Sequence, residues 1–331
     1  MQTSKVAVVR CPEYSEKVLN ESLMRLFSFF DGPQSFIQPG QRVLLKPNLI
    51  IAATADSGAT THPRVIEALI KMVKQCNAHP YIGDSPAFGS AQGVAQACGI
   101  RDVALRYEVP IVELRANKNC YRQNSNTEIL DQNLTRIMKE KVKLLSTISQ
   151  SIHDYDVIIN VPKLKAHEQM VFTGATKNIF GCVRGKVKAL RHFAVTNNME
   201  LFSNIILYMY SRVCPEFTVV DAIDVMEEKG PSGGSVRRRG LLFGGIDGIS
   251  IDTVIAHSLG VPISEIPILK YAQKYNYGVT NKDHITVMGE SDAEMKDFKL
   301  PAELAPISFS TKTIIRSVTR HLFALFTEKK A

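Results

Sequence analysis

Along the chain, short runs of β-branched and other apolar residues alternate with stretches in which apolar positions recur every three or four residues. Val6-Ala-Val-Val9 is the first run, and residues 15–30 follow as an amphipathic stretch. Arg42-Val-Leu-Leu-Lys46 reads as the next strand, ended by Pro47. Residues 63–75 place Val65, Ile66, Leu69, Ile70 and Val73 on one helical face, with Pro63 suited to the first turn. Tyr81-Ile82 runs into Gly83-Asp-Ser-Pro86, a strand end with turn chemistry, and Ile111-Val-Glu-Leu114 is a further candidate strand. Val157-Ile-Ile-Asn-Val161 is the clearest strand, and its near-continuous apolar character fits burial on both faces of a parallel sheet. Pro162 has no N–H to donate and ends that ladder. Phe217-Thr-Val-Val220, Gly240-Leu-Leu-Phe243 and His284-Ile-Thr-Val-Met288 follow, with helices expected over 201–213 and 252–259. The alternation predicts an α/β fold with a largely parallel, mixed sheet flanked by helices.

Two segments interrupt the pattern. Residues 115–140 are polar and weakly periodic, as expected of a surface insertion or a small subdomain within a single α/β domain spanning 1–290. Residues 291–331 then read as a linker and a C-terminal amphipathic helix. In that helix Ile314, Ile315, Val318, Leu322, Leu325 and Phe326 form the stripe, accompanied by Lys312, Arg316, Arg320, Lys329 and Lys330. Docking on the core is the simpler reading of the stripe; contact with an anionic membrane surface is the other.

Composition narrows the function classes. With 45% hydrophobic and 22% charged residues, the chain has the makings of a folded core rather than of a disordered segment. The formal charge of +8 admits nucleic acid, a membrane surface or anionic substrates. No zinc-finger spacing or RNA-binding aromatic signature accompanies it, so no nucleic-acid partner is expected. Cys11, Cys76, Cys98, Cys120, Cys182 and Cys214 are scattered, without the C-x-x-C spacing of a zinc or iron–sulfur site, and suit a reducing compartment. The first residues lack the apolar core of a signal peptide, and no apolar run reaches the ~18 residues of a membrane span. The expected location is cytoplasmic, with contact at the inner face of a membrane left open.

In open parallel sheets, ligands bind beyond the carboxyl ends of the strands, which points to the polar residues that follow each strand. Lys46 and Asn48, Asp84 and Ser85, Lys163, Lys165 and His167, Asp221 and Asp224, and Asp247 all follow candidate strands. The densest stretch is Asn160-Val-Pro-Lys-Leu-Lys-Ala-His167, with Thr173-Gly-Ala-Thr-Lys-Asn178 and Gly181-Cys-Val-Arg-Gly-Lys186 after it. If the chain stays extended, Lys163 and Lys165 point the same way, and their repulsion lowers the pKa of at least one unless an anion lies between them. Gly174, Gly181 and Gly185 allow turns whose N–H groups hold anionic oxygens. The stretch therefore reads as a phosphate or carboxylate cradle; a basic surface loop is the plainer alternative. A Walker-type phosphate loop is absent. His62 either contacts the ligand or closes the entrance of a helix. Gly230-Pro-Ser-Gly-Gly234, followed by Arg237-Arg-Arg239, reads as a mobile lid carrying positive charge or as a plain exposed loop, and His192 is a further candidate contact.

Lys46-Pro-Asn48, Thr61-His-Pro63, Gly83-Asp-Ser-Pro86, Val161-Pro-Lys-Leu-Lys-Ala-His167, Thr173-Gly-Ala-Thr-Lys-Asn178, Phe180-Gly181 and Gly230-Pro231 together resemble the domain-of-unknown-function 362 family, from about Val6 to about Gly289. Some members carry an added ferredoxin-like module with C-x-x-C clusters; the cysteines of this chain lack that spacing, so an iron–sulfur cluster is not expected in it. The resemblance implies no substrate, and function rests on the site.

Three readings follow. The leading one is an enzyme that binds a small phosphorylated or carboxylated ligand. In it Lys46, Asn48, His62, Ser85, Lys165, Thr173, Lys177, Asn178 and Asp221 are contacts, and His167, Lys163 and Asp84 are the candidate catalytic groups. His167 would move a proton, and a lysine of depressed pKa would be able to form a Schiff base. Asp84, His167 and Asp221 are the candidate ligands for a divalent metal, and a nucleotide cofactor is equally open. The second reading is a cofactor-binding protein without catalysis of its own, or a redox partner of an iron–sulfur protein. The third is a peripheral membrane protein acting on a lipid-linked anion through its C-terminal helix. A homodimer is an open assembly state.

Overall fold

The computed structural model describes residues 3–87, 89–114, 125–146, 148, 150–183, 195, 197–291 and 293–305. In chain order the elements are β1 (Ser4–Arg10), α1 (Glu16–Ser28), β2 (Arg42–Pro47), α2 (Pro63–Gln75), β3 (His79–Asp84), α3 (Ala91–Ala97), α4 (Ile100–Arg106), β4 (Ile111–Glu113), α5 (Ser125–Asn133) and α6 (Arg136–Leu145). They continue with β5 (Val157–Val161), β6 (Lys163–His167), β7 (Val171–Thr173), α7 (Ala175–Asn178), α8 (Met199–Val213), β8 (Phe217–Glu227), β9 (Ser235–Gly245), α9 (Gly248–Leu259), α10 (Pro267–Lys274) and β10 (Ile285–Gly289).

One mixed sheet holds all ten strands, in the order β10-β1-β9-β8-β5-β2-β3-β4, with β6 on the far half of β8 and β7 on β6. β8, β5, β2, β3 and β4 run parallel as neighbours, whereas β9 is antiparallel to both β1 and β8. Successive side chains of a strand face opposite sides, so each strand feeds two cores. In β2, Val43 and Leu45 enter one core and Leu44 the other; in β5, Val157, Ile159 and Val161 divide from Ile158 in the same way. The first core is closed by Leu23 and Phe27 of α1, Val65 and Leu69 of α2 and Ile100 of α4. The second is closed by Phe202 and Ile206 of α8, Ile251 and Ile255 of α9 and Leu269 of α10. This two-sided burial explains why the strands read as continuous apolar runs.

Two expectations change. Pro162 does not end the strand. It interrupts it, because β6 begins one residue later and both β5 and β6 lie parallel along the eleven residues of β8. The Pro162 carbonyl accepts from the Asp221 N–H at 2.9 Å, so the missing proline donor costs the ladder one bond only. Second, Arg237-Arg-Arg239 lies within β9 rather than on a free loop. Within and just beyond the expected insertion, α5 and α6 bury Leu130 and Val142 in the second core. Residues 115–124 and the predicted C-terminal helix lie outside the described residues.

Candidate functional site

β2 is where the chain order along the sheet reverses: β3 and β4 extend to one side of it, β5 and β8 to the other. Lys46 near the end of β2 stands in register with Asn160 of β5, and Asp84 is the last residue of β3. Lys46 Nζ donates to Asp84 Oδ1 at 2.9 Å and to the Pro47 carbonyl at 3.0 Å. The other Asp84 oxygen accepts from the Leu49 N–H at 2.7 Å, and Ser85 N–H donates to Oδ1 at 2.9 Å. The pair is fully enclosed, and Gly181 is the residue that closes it. A Cβ there would lie 2.2 Å from Asp84 Oδ1 and 2.5 Å from Lys46 Nζ. Asn178 Nδ2 donates to Asn160 Oδ1 at 2.8 Å and to the Lys46 carbonyl at 3.2 Å, while Asn160 Nδ2 donates to the Ala175 carbonyl at 2.9 Å. The Thr-Lys-Asn turn is thereby fastened to β2 and β5.

A second buried pair stands beside it. Lys163 Nζ donates to Asp221 Oδ2 at 2.9 Å and to the Tyr14 hydroxyl at 2.8 Å, and that hydroxyl donates to Asp221 Oδ1 at 3.0 Å. Asp221 also accepts from the His62 N–H at 3.0 Å. The His62 ring stacks on Tyr14 with centroids 3.6 Å apart, and its Nδ1 accepts from the Arg64 N–H at 3.2 Å as the cap of α2. Burial is the main force holding His62 down at about 4, partly opposed by the Asp221 carboxylate, so the ring is neutral at physiological pH. Burial and then Asp221 push the Tyr14 phenol far above its usual range, which keeps it protonated.

Lys165 differs from both. Its amine donates to Asn48 Oδ1 at 3.2 Å and to the Ala59 carbonyl, two neutral oxygens, and its side chain has no exposure to solvent. Burial first, then the positive charges of Lys177 and Lys163, bring it from the ordinary lysine value to about 7. The like-charge repulsion inferred from the Lys-x-Lys spacing thus falls on Lys165, because Lys163 has Asp221 as a counter-ion. Lys177 is half-buried, with its Nζ 5.7 Å from the Phe180 ring centre. Thr173, directly across the β6–β7 hairpin from Lys165, is buried. His167 lies two residues beyond Lys165 on β6, buried, with Nδ1 accepting from the Gln169 N–H at 3.1 Å. The structure therefore gathers Lys46, Asn48, Asp84, Ser85, Lys163, Lys165, Lys177, Asn178 and Asp221 in one largely buried polar cluster, with His62 beside it.

Several expected roles are taken by internal partners. The N–H groups of Ala175 and Thr176, candidates for an anion cradle, donate to Asp252 at 2.6 and 3.0 Å, and a Cβ on Gly174 would lie 2.1 Å from that carboxylate. Burial raises Asp252 to about 6. Arg238 makes a bidentate pair with Asp224, and Arg239 binds Glu227 and Asp297, so the arginine run is spent on carboxylates. Gly230 packs against β6, where a Cβ would meet the Ala166 carbonyl, so this turn is seated rather than free. Asp247 caps α9 through the Ile249 N–H. Among the described residues no three His, Cys, Asp or Glu side chains gather as a metal site. His192, Gly185 and Lys186 lie outside the described residues.

Tyr14, Asn160 and Thr218, whose hydroxyl accepts from Asn160 Nδ2 at 3.4 Å, are not among the predicted contacts. Tyr14 sits between β1 and α1 with no motif around it, and only the folding of that segment against β8 reveals it. Asn160 was visible as the one polar residue in an otherwise apolar strand, a usable signal, since a buried amide needs partners.

The fold and this cluster define a mixed-sheet α/β protein with a buried lysine–asparagine cluster at the carboxyl ends of its parallel strands. Residues 43–257 match the family described as "Domain of unknown function (DUF362)", and the chain belongs to it. It is also similar to the thylakoid-associated protein sll1697 of Synechocystis, with 32% identity over 325 residues that cover 98% of this chain and 96% of the relative.

Proposed function

We propose that the crevice binds a small phosphorylated or carboxylated anion and that the protein is an enzyme acting on it. One observation carries the reading: of the three enclosed lysines, Lys46 and Lys163 have carboxylate partners, whereas the two partners of Lys165 are neutral oxygens. The two ion pairs cancel internally. Lys177 and, when protonated, Lys165 contribute positive charge to the same cluster. An anion bound beside Lys177 offsets the positive charge that acts on Lys165. Asp84 and Asp221 act as positioning groups that hold the neighbouring lysines, and His167 is the nearby group able to move a proton.

Inorganic phosphate and a panel of small phosphorylated and carboxylated metabolites, screened by thermal shift, test the reading. Stabilisation of the wild type that is lost in Lys165→Met and reduced in Lys177→Ala is expected. Equal shifts in all three proteins, or none at millimolar ligand, overturn it. His167→Ala then tests catalysis, with binding retained and turnover reduced.

The printed name of the Synechocystis relative favours a second property, association with a membrane surface. Among the described residues no helix is long and apolar enough to cross a membrane, so the association would be peripheral. The basic and apolar residues of 312–330 supply its chemistry. Flotation with anionic vesicles, lost when residues 311–331 are deleted, is the expected result; unchanged flotation of the truncated chain refutes it.

A further inference from the structure

Lys165 and Thr173 are opposed residues of the antiparallel β6–β7 hairpin. Side chains of directly opposed residues lie on the same face of a sheet, with Cβ atoms about 4.5–5.5 Å apart. Thr173 is 3% exposed, and its hydroxyl makes no hydrogen bond among the described residues. A buried hydroxyl without a partner is costly, and this one lies on the strand face that carries Lys165, whose amine is held only by neutral oxygens. The Ala59 carbonyl sits on that amine from the segment joining β2 to α2, the same segment that brings Asn48 and Thr61 to the crevice.

We propose that Lys165 is an imine-forming amine, with Thr173 as its hydroxyl partner, and that the anion bound in the crevice is a small oxo acid carrying a ketone or aldehyde beside its carboxylate. The inference rests on the anion-binding reading above and names the ligand class of that site. Lys177 attracts the carboxylate, and the ligand displaces the Ala59 carbonyl from Lys165. The lone pair of the neutral amine attacks the carbonyl carbon. The C=O π electrons move to oxygen, which gains a proton as the nitrogen loses one, giving a carbinolamine. Departure of that oxygen as water leaves a C=N bond, so amine and carbonyl become imine and water with no external oxidant or reductant. The Thr173 hydroxyl donates to the developing carbinolamine oxygen. Lys46 and Lys163 are unsuited to this step because their nitrogens are committed as donors to carboxylates. The lowered proton affinity of Lys165 leaves much of it neutral, and hence nucleophilic, at physiological pH.

The test uses the full chain with pyruvate or glyoxylate as probe and cyanoborohydride as trap, read by intact mass and peptide mapping. One added group per chain, located on Lys165, is expected. It is absent in Lys165→Met and forms on the order of tenfold more slowly in Thr173→Val, which keeps the branched strand residue and loses the hydroxyl. Lactate and glycolate, which lack the carbonyl, should compete with the probe without forming an adduct. Mapping of the wild-type adduct stands even if Lys165→Met fails to fold. Adducts spread over surface lysines, or unaffected by Thr173→Val, overturn the proposal. Oxo-acid binding by thermal shift without any trapped adduct defeats the imine while leaving the anion site in place; no binding of any anion defeats both.

Discussion

Lys165 makes a quantitative prediction about stability against pH. Its folded value lies near 7 and its ordinary value at 10.5, so between these limits the unfolded chain binds a proton there that the folded chain does not. Stability contributed by a lowered lysine is present above the unfolded value and is lost as pH falls towards the folded one. Each unit of difference corresponds to about 1.4 kcal/mol, and allowing for half-titration at pH 7, the gain from pH 7 to pH 9 is about 2 kcal/mol. Below about pH 7 this contribution is flat, because both states are then protonated. The measurement is urea unfolding of the wild type and Lys165→Met at pH 7, 8 and 9. Other groups move in the same interval. Burial raises the Cys11 thiol to about 11 and raises Cys98, and these act in the opposite direction. They are common to both proteins, so the difference between the two isolates Lys165. The wild type should gain about 2 kcal/mol on the variant across the range. A difference that stays constant within a few tenths would show that Lys165 remains an ordinary ammonium in the folded protein, and the reasoning about its chemistry would fail with it.

Two further predictions concern the ion pairs. Gly181→Ala places a methyl group against both Asp84 and Lys46 and should cost about 3 kcal/mol or more in thermal or urea unfolding; a loss below about 1 kcal/mol would mean that the turn yields freely. Asp221→Asn leaves the Lys163 ammonium enclosed without its counter-ion and should cost about 3–5 kcal/mol, with part of the loss recovered in the double variant Asp221→Asn, Lys163→Met; equal stabilities of the single and double variants would contradict the pairing.

Much of the fold was legible because strands buried on both faces are apolar throughout, and their alternation with helical periodicity is a one-dimensional signal. Val157–Val161 and the helix over Pro63–Gln75 show this directly. The course of the chain after Pro162 was not legible. A proline signals a lost donor, but only the presence of β8 alongside, eleven residues long, makes it favourable to resume the strand at Lys163. Arg237–Arg239 failed for a related reason: local composition cannot report that Asp224, Glu227 and Asp297 will stand opposite.

The sequence by itself determined which residues could carry chemistry, since Lys46, Asp84, Lys163, Lys165, Lys177 and Asp221 are concentrated where strands end, and in an extended chain without an intervening anion the Lys-x-Lys spacing disfavours one amine as a cation. The tertiary structure decided which one. Pairing of charges depends on distances across the sheet, and these assign Asp84 to Lys46 and Asp221 to Lys163, leaving Lys165 to the neutral oxygens of Asn48 and Ala59. Charge type is written in each residue, whereas the neighbour that neutralises it is set by the register of strands distant in the chain.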